Sequence, residues 1–279
     1  MFQHTNVLPA SYLARAGRAR YAVLGDPINH SLSPRLFKLF AEHTHQIIDY
    51  RAFQTSLEDL AKTLKELYDQ GYHGVNLTSP LKEKAYLLAD ELTVEAQQAK
   101  AVNMITFDAE GKALGHNTDG IGFVRDLTQI KNYPLNNKSI LVLGAGGAVR
   151  GLLPFIIKEN PNAITVCNRT ESKAQALAEE FPESGSCAWQ NMALLKNDLL
   201  INGTNAADAL ELPELNIPVW YDLAYGLNHS FFQKEAKKQE VVYCFDGLGM
   251  LIEQAAEAFF LWRGAAVDTH TFHHLLLTF

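Results

Sequence analysis

The sequence predicts an α/β protein of two domains, each built on a mainly parallel sheet, and two observations carry that prediction. Short β-like runs alternate with amphipathic helical stretches along the chain, the pattern of parallel strands joined by crossover helices. Midway, a glycine-rich loop follows an apolar strand and opens a helix, as in a doubly wound (Rossmann-type) nucleotide-binding domain. The 279 residues, 47% hydrophobic and 20% charged, suffice for two modest globular domains.

Residues 1–20 carry three arginines but lack the continuous apolar core of a signal peptide, so they read as an extension. The runs YAVLG, IDYRAF, GVNLTS and NMITFD then read as strands, and SPRLFKLFAEH and SLEDLAKTLKELYDQG place apolar residues three and four apart, as core-facing helices do. The polar segment LTQIKNYPLNNK contains a linker. Beyond it SILVL (Ser139–Leu143) is a buried strand leading into GAGGAVRG, and AITVC, DLLIN, VWYDL and VVYCF follow as further strands. MLIEQAAEAFFLW is a strongly apolar helix.

No apolar stretch approaches the roughly 18 residues of a membrane span. A net charge of -7 argues against a nucleic-acid partner held by bulk electrostatics, while leaving room for a local basic pocket. Cys167, Cys187 and Cys244 form no CxxC pair and are too few for a disulfide framework, which fits a reducing, cytoplasmic setting.

Gly144, Gly146 and Gly147 stand where glycines allow a tight turn and let backbone amides approach a pyrophosphate. The pattern departs from GxGxxG, with Val149 in the third glycine or alanine place; a strand-to-helix turn without ligand is the alternative. Strand AITVC then ends in Asn168-Arg169-Thr170, with Lys173 beyond. An NAD site usually carries a carboxylate there to hold the ribose. Two cations suit a 2′-phosphate instead, which favours NADP.

Three clusters precede that loop. In His30-Ser31-Leu32-Ser33-Pro34, Ser33 fits a helix N-cap and Pro34 the first helical position, whereas capping leaves Ser31 unexplained. Two such hydroxyls suit a polyhydroxylated or carboxylated ligand. In NLTSPLKEK, Thr78 reads as part of a turn, and Lys82 begins a helix, where the dipole disfavours a cation; a solvated lysine is the plain alternative. In Asn117-Thr118-Asp119-Gly120, Asp119 fits an N-cap. Asn103 sits within a β-like run, where asparagine is depleted and its amide needs partners.

Together these segments resemble the shikimate dehydrogenase family from about Tyr21 to the last helix, through GDPINHSLSP, GVNLTSPLK, AVNMI, GHNTDG, LGAGGAVRG, NRT, YDLAY and DGLGMLIEQA. The resemblance implies NADPH-dependent, reversible reduction of 3-dehydroshikimate to shikimate, in aromatic amino-acid biosynthesis. It implies Lys82 and Asp119 as the catalytic pair, with Lys82 acting on the carbonyl oxygen and Asp119 as its electrostatic partner and a hydroxyl contact. It places Ser31 and Ser33 on the substrate carboxylate, Thr78 and Asn103 on the carboxylate side and ring hydroxyls, and Tyr225 and Gln254 on the substrate as well. Gly144, Ala145, Gly146, Gly147 and Ala148 would cradle the pyrophosphate; Asn168, Arg169, Thr170 and Lys173 would read the adenosine phosphate; Leu223 and Gly247 would line the nicotinamide. The domains it implies are 1–118, rejoined by 250–279, for substrate and 119–249 for NADP, with the active site in the cleft between them.

Lys100 and Met104 stand where the family commonly has glycine and threonine. Gly203 replaces an alanine and is expected to loosen a cofactor loop, and His116 to add a titrating group. No cluster supports a metal. A broader quinate/shikimate dehydrogenase and a catalytically silent ligand sensor are the rival readings. The partner is a small molecule, and a homodimer stays open.

Overall fold

The computed structural model describes residues 19–204 and 212–276; the expected extension lies almost wholly outside them. The chain divides into two compact units, residues 1–122 with 252–279, and residues 123–251, so Asp119 belongs to the first.

In the first unit the strands are β1 (Ala19–Gly25), β2 (Ile48–Gln54), β3 (Gly74–Leu77), β4 (Glu91–Leu92), β5 (Met104–Phe107) and β6 (Ala113–His116). Between and after them come α1 (Ser33–His43), α2 (Leu60–Asp69), α3 (Lys82–Leu88), α4 (Val94–Ala99) and α5 (Asp119–Arg125). The sheet order is β2-β1-β3-β5-β6-β4. β1 pairs in parallel with β2 and β3, and β4 with β6, whereas β5 runs antiparallel to both its neighbours. That reversal follows from a tight turn into β6, in which the Asp108 carboxylate accepts the amides of Glu110 and Lys112.

From Tyr21 to Gly25 β1 is buried on both faces, as that apolar run requires. Ala22 and Leu24 join Leu60, Leu64 and Leu67 of α2 in one cluster. Tyr21 stacks at 4.3 Å on Trp262, and Phe37 of α1 packs against Phe259 and Trp262. Both partners lie on α9 (Leu248–Arg263), which α10 (His270–Leu276) follows. The Trp262 indole donates to Thr106 Oγ1 at 3.1 Å, and a side chain at Gly74 would strike that indole.

The second unit holds β7 (Ser139–Leu143), α6 (Gly147–Lys158), β8 (Ala163–Cys167), α7 (Glu171–Glu180), β9 (Ser184–Cys187), β10 (Leu199–Asn202), β11 (Val219–Asp222), α8 (Ser230–Lys238) and β12 (Tyr243–Phe245). Its six strands are all parallel, in the order β12-β11-β10-β7-β8-β9. This is the doubly wound order, with the switch point between β7 and β10. Along β7, Ile140 and Val142 face the core beneath α6 and α7, while Leu141 and Leu143 face Trp220 and Phe232. A single π turn, Asp126–Ile130, follows α5. The Asp126 carboxylate accepts from Tyr221 OH at 2.7 Å and leaves no room for a side chain at Gly249.

Candidate active site

In the first unit, strand and helix ends converge on one polar network. Asn103 is buried just before β5, not inside the strand as its apolar neighbours suggested: its amide donates to His116 O while its carbonyl accepts from Leu77, so it links two ladders. Its Nδ2 lies 2.8 Å from Asp119 Oδ1, 3.0 Å from Thr118 Oγ1 and 3.4 Å from Gln254 Oε1. Its Oδ1 accepts the Thr118 amide at 2.9 Å.

Asp119 opens α5, but its carboxylate is committed to neither capping nor solvent. One oxygen takes Asn103 and the other takes Lys82 Nζ at 2.7 Å. The turn is fixed from below instead, by Asn117, whose Oδ1 accepts the Asp119 amide and whose Nδ2 donates to Ala101 O. Lys82 stands at the first position of α3, as the sequence suggested, and its carbonyl accepts the Val102 amide. Its side chain is 25% exposed against 8% for Asp119. Of the three donors on an ammonium, Asp119 takes one. The arrangement is therefore a cation held at one fixed point with donors to spare, suited to an oxygen on which negative charge develops.

The serine cluster corrects the capping assignment. Leu32, not Ser33, occupies the N-cap of α1, and the Ser31 hydroxyl accepts the Ser33 amide at 3.3 Å. Ser33 is buried beside Tyr50. Tyr50 OH donates to Asn76 Oδ1 at 2.7 Å, and Asn76 Nδ2 reaches Asn103 O at 3.3 Å. Tyr50, Asn76 and Thr118 thus join the network although sequence reasoning missed them. Asn76 carried the same signal as Asn103, an amide in an apolar run; Tyr50 carried none, being an ordinary strand residue. Thr78 lies at the end of β3, its amide bonded to Leu24 O, and any side chain at Gly25 would strike its hydroxyl.

His116 corrects a second expectation. Burial pushes its imidazole down to about 4, only partly opposed by Glu95, so it is neutral across the physiological range.

In the second unit the glycine loop lies at the switch point. Gly144 has φ +104°, and a Cβ there would meet Gly203 O at 2.9 Å. Gly146 is the extended N-cap of α6 and makes no side-chain cap bond, which leaves the first-turn amides aimed at whatever binds there. These features fit a pyrophosphate. Asn168 is partly buried, with Nδ2 donating to Thr170 O at 2.9 Å; Arg169, Thr170 and Lys173 are exposed. Glu171 follows in the first turn of α7.

A Cβ on Gly203 would collide with Val149 Cγ2, so the large residue at 149 is accommodated by the missing methyl at 203. Leu223 and Gly247 are brought together: a Cβ on Gly247 would strike Leu223 O, and the Gly247 amide donates to Ala224 O at 2.9 Å. Tyr225 follows, its phenol pushed up by burial. Nearby His229 Nδ1 lies 3.0 Å from buried Asp222. Burial alone would push this imidazole down, but Asp222 and Cys244 outweigh it and raise it to about 9.

Among the described residues no group of three or more His, Cys, Asp and Glu could hold a metal ion, and no helix is long and apolar enough to cross a membrane.

Three family models match the chain: the shikimate dehydrogenase substrate-binding domain over residues 23–105, shikimate/quinate 5-dehydrogenase over 126–213, and the shikimate 5′-dehydrogenase C-terminal domain over 247–277. The shikimate dehydrogenase (NADP(+)) of Marinobacter nauticus is 43% identical over 261 residues, covering 89% of this chain and 94% of that protein. Two solved structures are similar throughout. An Ael1 enzyme from Pseudomonas putida has a TM-score of 0.85 at 37% identity, covering 92% of this chain and 98% of its own. Shikimate 5-dehydrogenase from Thermus thermophilus, in complex with NADP(H) and shikimate, has a TM-score of 0.82 at 35% identity, covering 93% and 99%.

Proposed function

The chain belongs to the shikimate dehydrogenase family, and from that premise we propose that Lys82 and Asp119 are the pair through which it reduces 3-dehydroshikimate to shikimate. It is an NADP-dependent oxidoreductase, as its curated relatives are named. The observation that carries the residue assignment is the Lys82–Asp119–Asn103 arrangement: one carboxylate, each oxygen spent on a different partner, holding one ammonium.

NADPH, when bound, supplies a hydride to the substrate's carbonyl carbon. Charge then builds on the carbonyl oxygen, and Lys82 supplies the proton or the stabilising positive charge there. Asp119 fixes the ammonium and offers its carboxylate to a ring hydroxyl, while Asn103, with Thr118 and Gln254, sets the carboxylate's orientation. Ser31 and Ser33 hold the substrate carboxylate, with Tyr50 and Asn76 positioning Ser33 from behind, and Thr78 and Tyr225 complete the substrate contacts. On the cofactor side, Gly144 to Ala148 receive the pyrophosphate. Asn168, Arg169, Thr170 and Lys173 read the 2′-phosphate, and Leu223 and Gly247 border the nicotinamide. The partner is a small molecule rather than a nucleic acid, the setting is cytoplasmic, and sizing chromatography would decide between monomer and homodimer.

The test is absorbance at 340 nm with shikimate and quinate each crossed against NADP and NAD. Turnover confined to shikimate with NADP is expected. Comparable quinate or NAD turnover would place the chain among broader quinate/shikimate dehydrogenases, and binding without turnover would overturn catalysis altogether. In the same assay Lys82→Ala should lower kcat by about 10²–10⁴ with little change in shikimate affinity. Near-normal turnover would remove Lys82 from the mechanism.

A further inference from the structure

Cys167 and Cys187 are far apart in sequence yet are direct register partners, each the last residue of its strand, β8 and β9. Opposed residues in a ladder point to the same face, and both cysteines pack in the same cluster with Leu143 and Trp189. Neighbouring strands run about 4.8 Å apart, inside the Cα separation that a disulfide spans. The Cys167 thiol beside it lowers the Cys187 thiol, against burial and the Glu171 carboxylate, while Cys167 itself is raised. Cys187 is also the accessible member: it is half-buried on β9, the outermost strand, whereas Cys167 is buried.

The backbone around this pair reaches the cofactor residues from both sides. Cys167 O accepts the Gly144 amide at 2.8 Å, and the chain passes from Cys167 straight into Asn168-Arg169-Thr170.

We propose that Cys167 and Cys187 form a reactive dithiol that small-molecule disulfides close to an intramolecular disulfide, and that closure weakens NADP binding. The Cys187 thiolate attacks one sulfur of the incoming disulfide, forming a mixed disulfide and releasing the first thiolate. Cys167 then gives up its proton and attacks Cys187 Sγ, which forms the cysteine–cysteine bond and releases the second thiolate. The two cysteines are oxidised, the small disulfide is reduced to two thiols, and the two cysteine protons end on them. Closing the bond draws the Cβ atoms to about 3.8 Å. It thereby shifts the last rung of the ladder, on which Gly144 and Asn168 depend. The effect on NADP rests on the cofactor residues proposed above; the dithiol chemistry does not.

The full-length protein would be equilibrated in glutathione disulfide, then analysed by intact mass, peptide mapping and NADP titration. A loss of two hydrogens mapped to a Cys167–Cys187 peptide is expected, with NADP affinity reduced about tenfold and restored by dithiothreitol. Cys187→Ser should bind NADP as the reduced protein does and lose the response, while Cys244→Ser should keep it. A stable glutathione adduct on Cys187, or no linkage, overturns the dithiol. Linkage with unchanged NADP affinity overturns the coupling. Failure of the reduced protein to bind NADP would instead count against the cofactor residues, leaving the linkage to be judged by mass.

Discussion

Val149 and Gly203 divide one volume between them, and this explains two departures that look unrelated in the sequence. Gly203→Ala alone should therefore cost about 1–3 kcal/mol by overpacking and weaken NADP, whereas adding Val149→Ala should recover most of the loss. Chemical denaturation and NADP titration of the two singles and the double would measure the coupling; simple additivity would refute it. Lys100 is the C-cap of α4 with φ +49°, a left-handed conformation that favours glycine, so the lysine stands there at some backbone cost. The two histidines act in opposite directions. His116, lowered to about 4, favours the neutral form on folding, so its contribution is present above about 6.5 and lost as pH falls toward 4. His229, raised to about 9, favours the charged form, so its contribution is full below about 6.5 and lost as pH rises through 9. Unfolding followed across pH should show the acid-side loss reduced in His116→Gln and the alkaline-side loss reduced in His229→Gln.

At the scale of elements, α9 anchors the first unit through Phe259 and, most heavily, Trp262. Trp262 stacks on Tyr21, packs against Phe37 and hydrogen-bonds Thr106, so Trp262→Ala should destabilise that unit by about 3–5 kcal/mol, read from its denaturation midpoint. The long periodic elements were legible in the sequence because each buries a continuous apolar face: α1, α2 and α9 by helical spacing, β1 and β7 by unbroken apolar runs. The strands that escaped notice were β4, β6 and β9. β9 reads Ser-Gly-Ser-Cys and is a strand because β8 offers it a ladder, which no local pattern announces. The same limit applied to the site. Lys82 and Asn103 stood out as residue types awkward for their positions. Asp119 suited an N-cap and was singled out only by the resemblance, and Tyr50 suited its strand, so that only tertiary contacts disclosed its bond to Asn76. Cap assignment failed at Ser33 because the helix takes Ser33 as its own first residue, with Leu32 at the N-cap and the Ser31 hydroxyl accepting the Ser33 amide.

At the scale of the whole molecule, each unit has its own sheet, core and set of functional groups, so ligands should act on them separately. In hydrogen exchange, shikimate should protect residues 76–82 and 103–119, and NADP should protect 144–149 and 168–173. Protection of only one set by both ligands would contradict the proposed division of labour. The second unit is also an insert, since the first unit takes up the chain again at residue 252. Asp126 and Gly249, close to its two ends, touch each other. During synthesis this inverts the usual order, in which the N-terminal domain folds first. The ribosome completes the later unit while the earlier one still waits for Gln254, Phe259 and Trp262. A nascent chain halted before residue 252 would thus carry a finished nucleotide-binding fold attached to a substrate unit that lacks part of its core.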